Sequence, residues 1–247
     1  MSHWIACSSG NVQSGEADGV LRPKLPIQAG TKRGILYVHG REAATPGAWE
    51  WQKFIERATL VSRLAAAGHV VVTADLGGNT TWGNSTALSR ITAAKTYLLS
   101  LGVSATKIAL VGQSMGALNS LAWAAANPTL TSCVIGMIPV IDLSDIHTNN
   151  RGGFTAEINT AYGGTYSEGA DGATHNPATM AGAGDLDSIP IQLWYGTSDT
   201  LCLPALAATF AGNAALCEAH AIAGGHAEST IGNVDIDAVL AFIAAAG

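Results

Sequence analysis

The stretch that most limits what this chain can become is Val111-Gly112-Gln113-Ser114-Met115-Gly116-Ala117. An apolar run, Lys107 to Val111, leads into it, and an Ala/Leu/Trp segment, Leu118 to Ala126, leads out. That order reads as a buried strand, a sharp turn and a helix. Where strand and helix nearly touch, only residues without a Cβ fit, and Gly112 and Gly116 meet that need. Ser114 then stands at the tip with its hydroxyl exposed, and the Met115 N–H points outward at a helix start. The pentapeptide alone decides little. With 29 glycines in 247 residues, chance supplies about 0.2 such matches. Its place between strand and helix carries the argument.

The rest of the chain supplies a framework for such a turn. Hydrophobic residues make up 48% of it, enough for a sizeable core and too many for a disordered chain. A net charge of −6 without a basic run argues against nucleic acid as a partner. No stretch reaches the roughly 18–20 uninterrupted apolar residues of a membrane span. Met1 to Ser8 lacks the basic region and apolar run of a signal peptide, so export by the general secretory route is not expected. The four cysteines, Cys7, Cys133, Cys202 and Cys217, form no C-x-x-C pair and do not suggest zinc. A helix from Leu203 to Ala211 would carry Cys202 and Cys217 roughly 13 Å apart, beyond the reach of a disulfide. Free, buried thiols are expected.

Residues 1–33 show no clear period and read as an extended lead-in, with one edge strand near Leu25 to Gln28. Buried-strand patterns follow at 34–40, 69–74, 107–111, 133–140, 189–195 and 218–222. Helical spacing lies between them, at 51–64, 87–99, 118–126, 203–211 and, closing the chain, 231–245. Strands alternating with helices predict an α/β domain over 34–247, a mostly parallel sheet covered on both faces. From Asp142 to Asp187 the pattern gives way to Gly, Thr, Asn and Ala, with weak helical spacing near Ala156 to Tyr162. That segment reads as a cap or lid inserted over Ser114.

Ligands of such sheets bind beyond the carboxyl ends of the strands. The segment Gly196-Thr197-Ser198-Asp199 puts Asp199 at that edge, and Gly224-Gly225-His226 puts His226 there too. A serine hydroxyl needs an adjacent base to become a nucleophile, and a carboxylate fixes the base's tautomer. The chain order Ser114, Asp199, His226 suits that arrangement. Asp142, after the 133–140 strand, is the rival carboxylate. Asp199 is favoured because it lies nearer the His226 loop in sequence and sits in a tighter turn.

Taken together, Val38-His39-Gly40, Gly112-Gln113-Ser114-Met115-Gly116, Gly196-Thr197-Ser198-Asp199 and Gly225-His226 resemble the α/β-hydrolase serine esterases and lipases over roughly residues 34 to 246. The resemblance implies a nucleophile elbow at Ser114, with His226 as base and Asp199 as orienting acid. It also implies an oxyanion hole from the backbone N–H groups of Arg41 and Met115. Against the family pattern, the antiparallel hairpin that usually opens the sheet is missing from this reading. Asp75-Leu76-Gly77-Gly78 with Trp82-Gly83-Asn84 is similar to hydrolases of actinobacteria and their phages, which would make the protein cytoplasmic or phage-encoded and virion-associated.

The expected activity is hydrolysis of a small or medium carboxylic ester, or of an acylated sugar, without metal or cofactor. The insertion is too poor in apolar residues for a lid facing bulk lipid. Trp82, Asp75, His147 and His175 are placed to border the substrate cleft, with loop packing or surface exposure as the plainer alternative. His39 is read as bracing the oxyanion loop. Two other readings stay open: a non-catalytic binding or virion-associated protein on the same scaffold, and an acyltransferase using the same acyl-enzyme.

Overall fold

A computed structural model describes residues 4–8, 18–23, 33–41, 51–103 and 107–246, with the first two segments as backbone. Its centre is an eight-stranded sheet of order β1-β2-β4-β3-β5-β6-β7-β8. Six strands run parallel: β3 (Gly34–Val38), β4 (Val70–Ala74), β5 (Ile108–Gln113), β6 (Thr131–Met137), β7 (Ile191–Gly196) and β8 (Cys217–Ile222). The central strands are rich in Val, Ile and Leu, and every residue of β3, β4, β5 and β6 is buried, as a sheet covered on both faces requires.

Alternate residues of each strand serve opposite faces. Ile35, Tyr37, Val71, Val111 and Ile135 pack with α1 (Ile55–Ala66) and with Val239 and Ile243 of the last helix. Leu36, Val38, Val72, Leu110 and Val134 pack with α2 (Ser85–Ser100) and α3 (Met115–Ala126). α2 starts where Asn84 accepts a hydrogen bond from the Ala87 N–H. α3 is buried on nearly every side, which is why it is built of Ala, Gly, Ser and Leu. Its Trp123 lies in the core and donates its indole N–H to Thr92.

The amino-terminal reading needs correction. β1 (Trp4–Ser8) and β2 (Asp18–Pro23) form an antiparallel hairpin, and β2 pairs antiparallel with β4. The hairpin expected to be missing is present and opens the sheet. The proposed edge strand at 25–28 lies outside the described residues.

Residues 142–187 form a helical layer rather than an irregular loop. It contains α4 (Leu143–Thr148), α5 (Thr155–Ala161), α6 (Ala173–His175) and α7 (Pro177–Ala183). Leu143, Ile146, Ile158 and Tyr166 share a small core with Trp82, Met115 and Leu118. Buried Asn176 joins the pieces, accepting from the Leu143 N–H and donating to Asp142 and Glu168.

The remaining helices are α8 (Pro204–Asn213), α9 (Glu228–Ile231) and α10 (Ile236–Ala245). The single closing helix expected at 231–245 is thus two. Asp235 accepts hydrogen bonds from the N–H groups of Asp237 and Ala238, starting α10 afresh after the break at Gly232-Asn233. Among the described residues no helix is long and apolar enough to cross a membrane.

Candidate active site

Ser114 sits between the end of β5 and the start of α3 with φ 50° and ψ −118°, a backbone conformation rare for a residue with a side chain. Its surroundings enforce it. The Ser114 N–H donates to Met137 O at 2.9 Å, and Ser114 O accepts from the Val140 N–H at 3.1 Å. A Cβ on Gly112 would lie 2.5 Å from Gly116 O, and one on Gly116 would lie 2.1 Å from Val38 O. Both obstacles are backbone atoms that cannot swing aside. Met115 is the first residue of α3, so its N–H has no carbonyl one turn earlier to meet.

The two loops beyond β7 and β8 bring their polar residues to this point. The Ser198 N–H donates to Gly224 O at 2.8 Å, and the Thr230 hydroxyl donates to Gly225 O at 2.8 Å. His226 is held between them. Its Nε2 lies 2.8 Å from Ser114 Oγ, and its Nδ1 lies 2.8 Å from Asp199 Oδ2. The other oxygen, Asp199 Oδ1, accepts from the N–H groups of Leu201 at 2.9 Å and Cys202 at 2.8 Å. The Asp199 side chain is 1% exposed and that of His226 18%, so the carboxylate is shielded while the imidazole reaches the surface. With Nδ1–H donated to the carboxylate, Nε2 is left to accept the serine proton.

Asp142, the rival carboxylate, is elsewhere. It caps α4, accepting from the Asp145 N–H at 3.1 Å and from Asn176 at 3.2 Å. Asp199, Cys202 and His226 place three potential metal-ligand atoms within 4.8 Å of one another. Both carboxylate oxygens and both ring nitrogens are already engaged. Burial, with the charges of Asp199 and Asp145, also pushes the Cys202 thiol well above its usual range. Hydrogen bonding, not ligation, accounts for the cluster. Cys133, Cys202 and Cys217 are free thiols.

Above Ser114 lies an open cleft of about 230 Å³, lined by Arg41, Gln113, Ser114, Ile138, His226, Ala227 and Glu228. Trp82 and His147, expected at its border, do not line it. Trp82 is buried with its indole N–H on Glu157, and His147 turns its Nε2 to Asn159 within the 142–187 layer. No residue of that layer lines the cleft, so the lid expected over Ser114 is not seen there. The layer touches the site through Arg41, whose guanidinium pairs with Glu157 and lies 4.8 Å from the Phe154 ring centre. His39 bridges two loops, its ring nitrogens 2.8 Å from Gly40 O and 2.9 Å from Asp75 O.

Gln113 and Glu228 were not singled out from the sequence. The Tyr37 hydroxyl donates to Gln113, which donates to Glu228 at 2.9 Å, and Glu228 pairs with the fully buried Arg57 at 3.1 Å. This chain ties β3, the turn before Ser114, the His226 loop and α1 together. The available signal was proximity in sequence: Gln113 precedes the serine and Glu228 follows the histidine by two.

No protein-family model and no curated protein matches the sequence. The structure is nevertheless similar to solved ones over nearly its whole length. Fluorophosphonate-binding serine hydrolase F of Staphylococcus aureus aligns with a TM-score of 0.76 at 13% identity, over 97% of this chain and 98% of that one. A truncated carbohydrate esterase from gut microbiota aligns with a TM-score of 0.76 at 14% identity, over 99% and 97%. A prolyl endopeptidase aligns with a TM-score of 0.68 at 17% identity, over 99% of this chain and 38% of its own. The narrower resemblance to actinobacterial and phage hydrolases gains no support from these structures. The likeness extends over the parallel central sheet and the helices around it, and the chain has the α/β-hydrolase fold.

Proposed function

We propose that the protein is a serine hydrolase that cleaves a carboxylic ester through an acyl-enzyme on Ser114. The observation that carries the reading is the unbroken line Ser114 Oγ, His226 Nε2, His226 Nδ1, Asp199 Oδ2, both links 2.8 Å, at the floor of an open cleft. A binding protein has no need of a serine held at a strained φ against a histidine and a buried carboxylate.

In this reading Ser114 Oγ attacks the ester carbonyl carbon while His226 Nε2 takes its proton. Asp199 keeps Nδ1 protonated and faces the imidazolium as it forms. The carbonyl oxygen, now carrying the negative charge, accepts from the N–H groups of Met115 and Arg41. As the tetrahedral species collapses, the alcohol leaves with the proton from His226 and Ser114 carries the acyl group. Water then repeats the sequence and returns the serine. A mixed polar cleft of about 230 Å³, in which Ile138 is the one large apolar residue among the described lining, suits a short acyl group or a hydroxyl-rich alcohol.

Ser114→Ala removes one oxygen and nothing of the packing. It is expected to reduce hydrolysis of p-nitrophenyl acetate to background, with an unchanged circular dichroism spectrum. A wild-type rate from the folded variant would overturn the assignment. Adding alcohol or peptide acceptors and substrates to the same assay separates ester hydrolysis from acyl transfer and from peptide cleavage.

A further inference from the structure

One carboxylate in the 142–187 layer is bonded to side chains from the loops after β3 and β4, on one side of the serine turn. Glu157 Oε1 accepts from Arg41 Nε at 2.8 Å and from Trp82 Nε1 at 2.7 Å, and its Oε2 accepts from Arg41 Nη2 at 2.8 Å. Burial pushes this carboxyl up, but the hydrogen bonds from Arg41 and Trp82 and the Arg41 charge outweigh it and hold the group below its usual range. It is therefore an anion at neutral pH. Phe154, one turn earlier, completes the grip: its ring centre lies 4.8 Å from the Arg41 guanidinium carbon and 5.1 Å from the Trp82 ring centre.

Both bonded residues lead to the proposed oxyanion donors. Arg41 is one donor by its backbone N–H. Trp82 reaches the other, because its own backbone N–H donates to Met115 Sδ at 3.3 Å. Trp82 is fully buried with φ 45°, a left-handed conformation that costs an aromatic residue energy unless its surroundings impose it. Here they do so at both ends, through Glu157 on the indole and through the Tyr162 hydroxyl, which donates to Trp82 O at 3.0 Å. Glu157 itself does not line the cleft and touches no reacting atom.

We infer that Glu157 is a positioning residue for the oxyanion site, setting Arg41 directly and Met115 by way of Trp82. This rests on the reading of Ser114 as nucleophile. Two N–H donors stabilise the transition state only when aimed at where the oxygen will be, and misplacement of about 1 Å costs up to roughly a hundredfold in rate. The 142–187 layer, on this account, does not close over the substrate. It braces the catalytic floor from the side.

A merely structural tie and a positioning role separate in the kinetics of the full chain on p-nitrophenyl acetate. Glu157→Ala is expected to lower kcat roughly tenfold to a hundredfold with KM little changed. Glu157→Gln keeps an acceptor for Trp82 and Arg41 and should recover most of that loss. Trp82→Phe keeps the packing but breaks the indole link, so it should lower kcat alone and add little on top of Glu157→Ala. A wild-type kcat with a lowered Tm, a raised KM at unchanged kcat, or a Gln variant as slow as the Ala variant overturns the inference. Should Glu157→Ala fail to fold, the Gln and Phe variants decide it, and wild-type kcat in both sinks it. An inactive Ser114→Ala beside unimpaired Glu157 variants leaves the nucleophile reading standing and removes this one. A wild-type rate in Ser114→Ala removes both.

Discussion

Two aspartates lie beyond the carboxyl ends of neighbouring strands, and the molecule uses them differently. Asp199 sits in the turn directly after β7, and Asp142 lies five residues beyond β6, where α4 begins. Both accept backbone N–H groups. In Asp199 one oxygen absorbs two of them, which fixes the carboxylate plane and leaves the other oxygen to face His226. In Asp142 the same oxygen caps α4 and receives the Asn176 amide. Position along a strand brings a carboxylate to the right edge. The turn that carries it decides whether it faces the histidine or starts a helix.

Exchanging each carboxylate for its amide is the sharpest way to break that comparison. Asp199→Asn should lower kcat by about 10⁴-fold, because an amide can present its NH₂ to Nδ1 and favour the wrong tautomer. Asp142→Asn should leave kcat within a fewfold, since asparagine also caps a helix. If Asp142→Asn is the crippled variant, the two roles have been assigned in reverse.

The backbone that aims Ser114 can be broken separately. Gly116→Ala brings a Cβ to 2.1 Å from Val38 O and 2.4 Å from His39 O. Since both are main-chain atoms, a loss of about 3 kcal/mol or more in unfolding free energy is expected, and activity should fall with it. Urea denaturation followed by tryptophan fluorescence reads the first quantity directly. A variant as stable as wild type would mean that α3 and β3 are not in the contact described.

A smaller effect sharpens the contrast between the two sides of the site. The Glu157 carboxyl is held below its usual range, so its pairing with Arg41 contributes fully above that range and is lost only as pH falls through the lowered value. His226 must be neutral to act as base. Since Glu157 loses its charge only below its usual range, the acid limb of kcat/KM at higher pH should not follow its ionisation. Glu157→Gln should show the same acid limb at a reduced plateau. An acid limb that moves in this variant would place Glu157 in electrostatic contact with the base, contrary to the geometry.

The same contrast explains what the sequence made legible. The Ser114 turn, Asp199 and His226 all sit within a few residues of the end of a short strand, next to glycine, and local pattern marks such places. The amino-terminal hairpin was missed because Trp4–Ser8 and Asp18–Pro23 are short, lack alternation and gain their order from pairing with each other and, for Asp18–Pro23, with β4. The helices of 142–187 run to seven residues at most, too short to hold by propensity, and depend on the Asn176 contacts and the Trp82–Leu143–Ile158 core. Trp82 and His147 pointed toward the site in sequence because they follow or flank its loops. Their ring nitrogens instead meet Glu157 and Asn159, partners 75 and 12 residues away, which no local pattern reveals.

The most direct test of Ser114 as an activated nucleophile is its covalent capture by a fluorophosphonate, read by intact-mass and peptide mass spectrometry. One adduct per chain is expected, on Ser114, absent in Ser114→Ala and formed far more slowly in His226→Ala. A chain that stays unmodified under conditions that label a known serine hydrolase to completion, or one modified elsewhere while Ser114 remains free, would contradict the account.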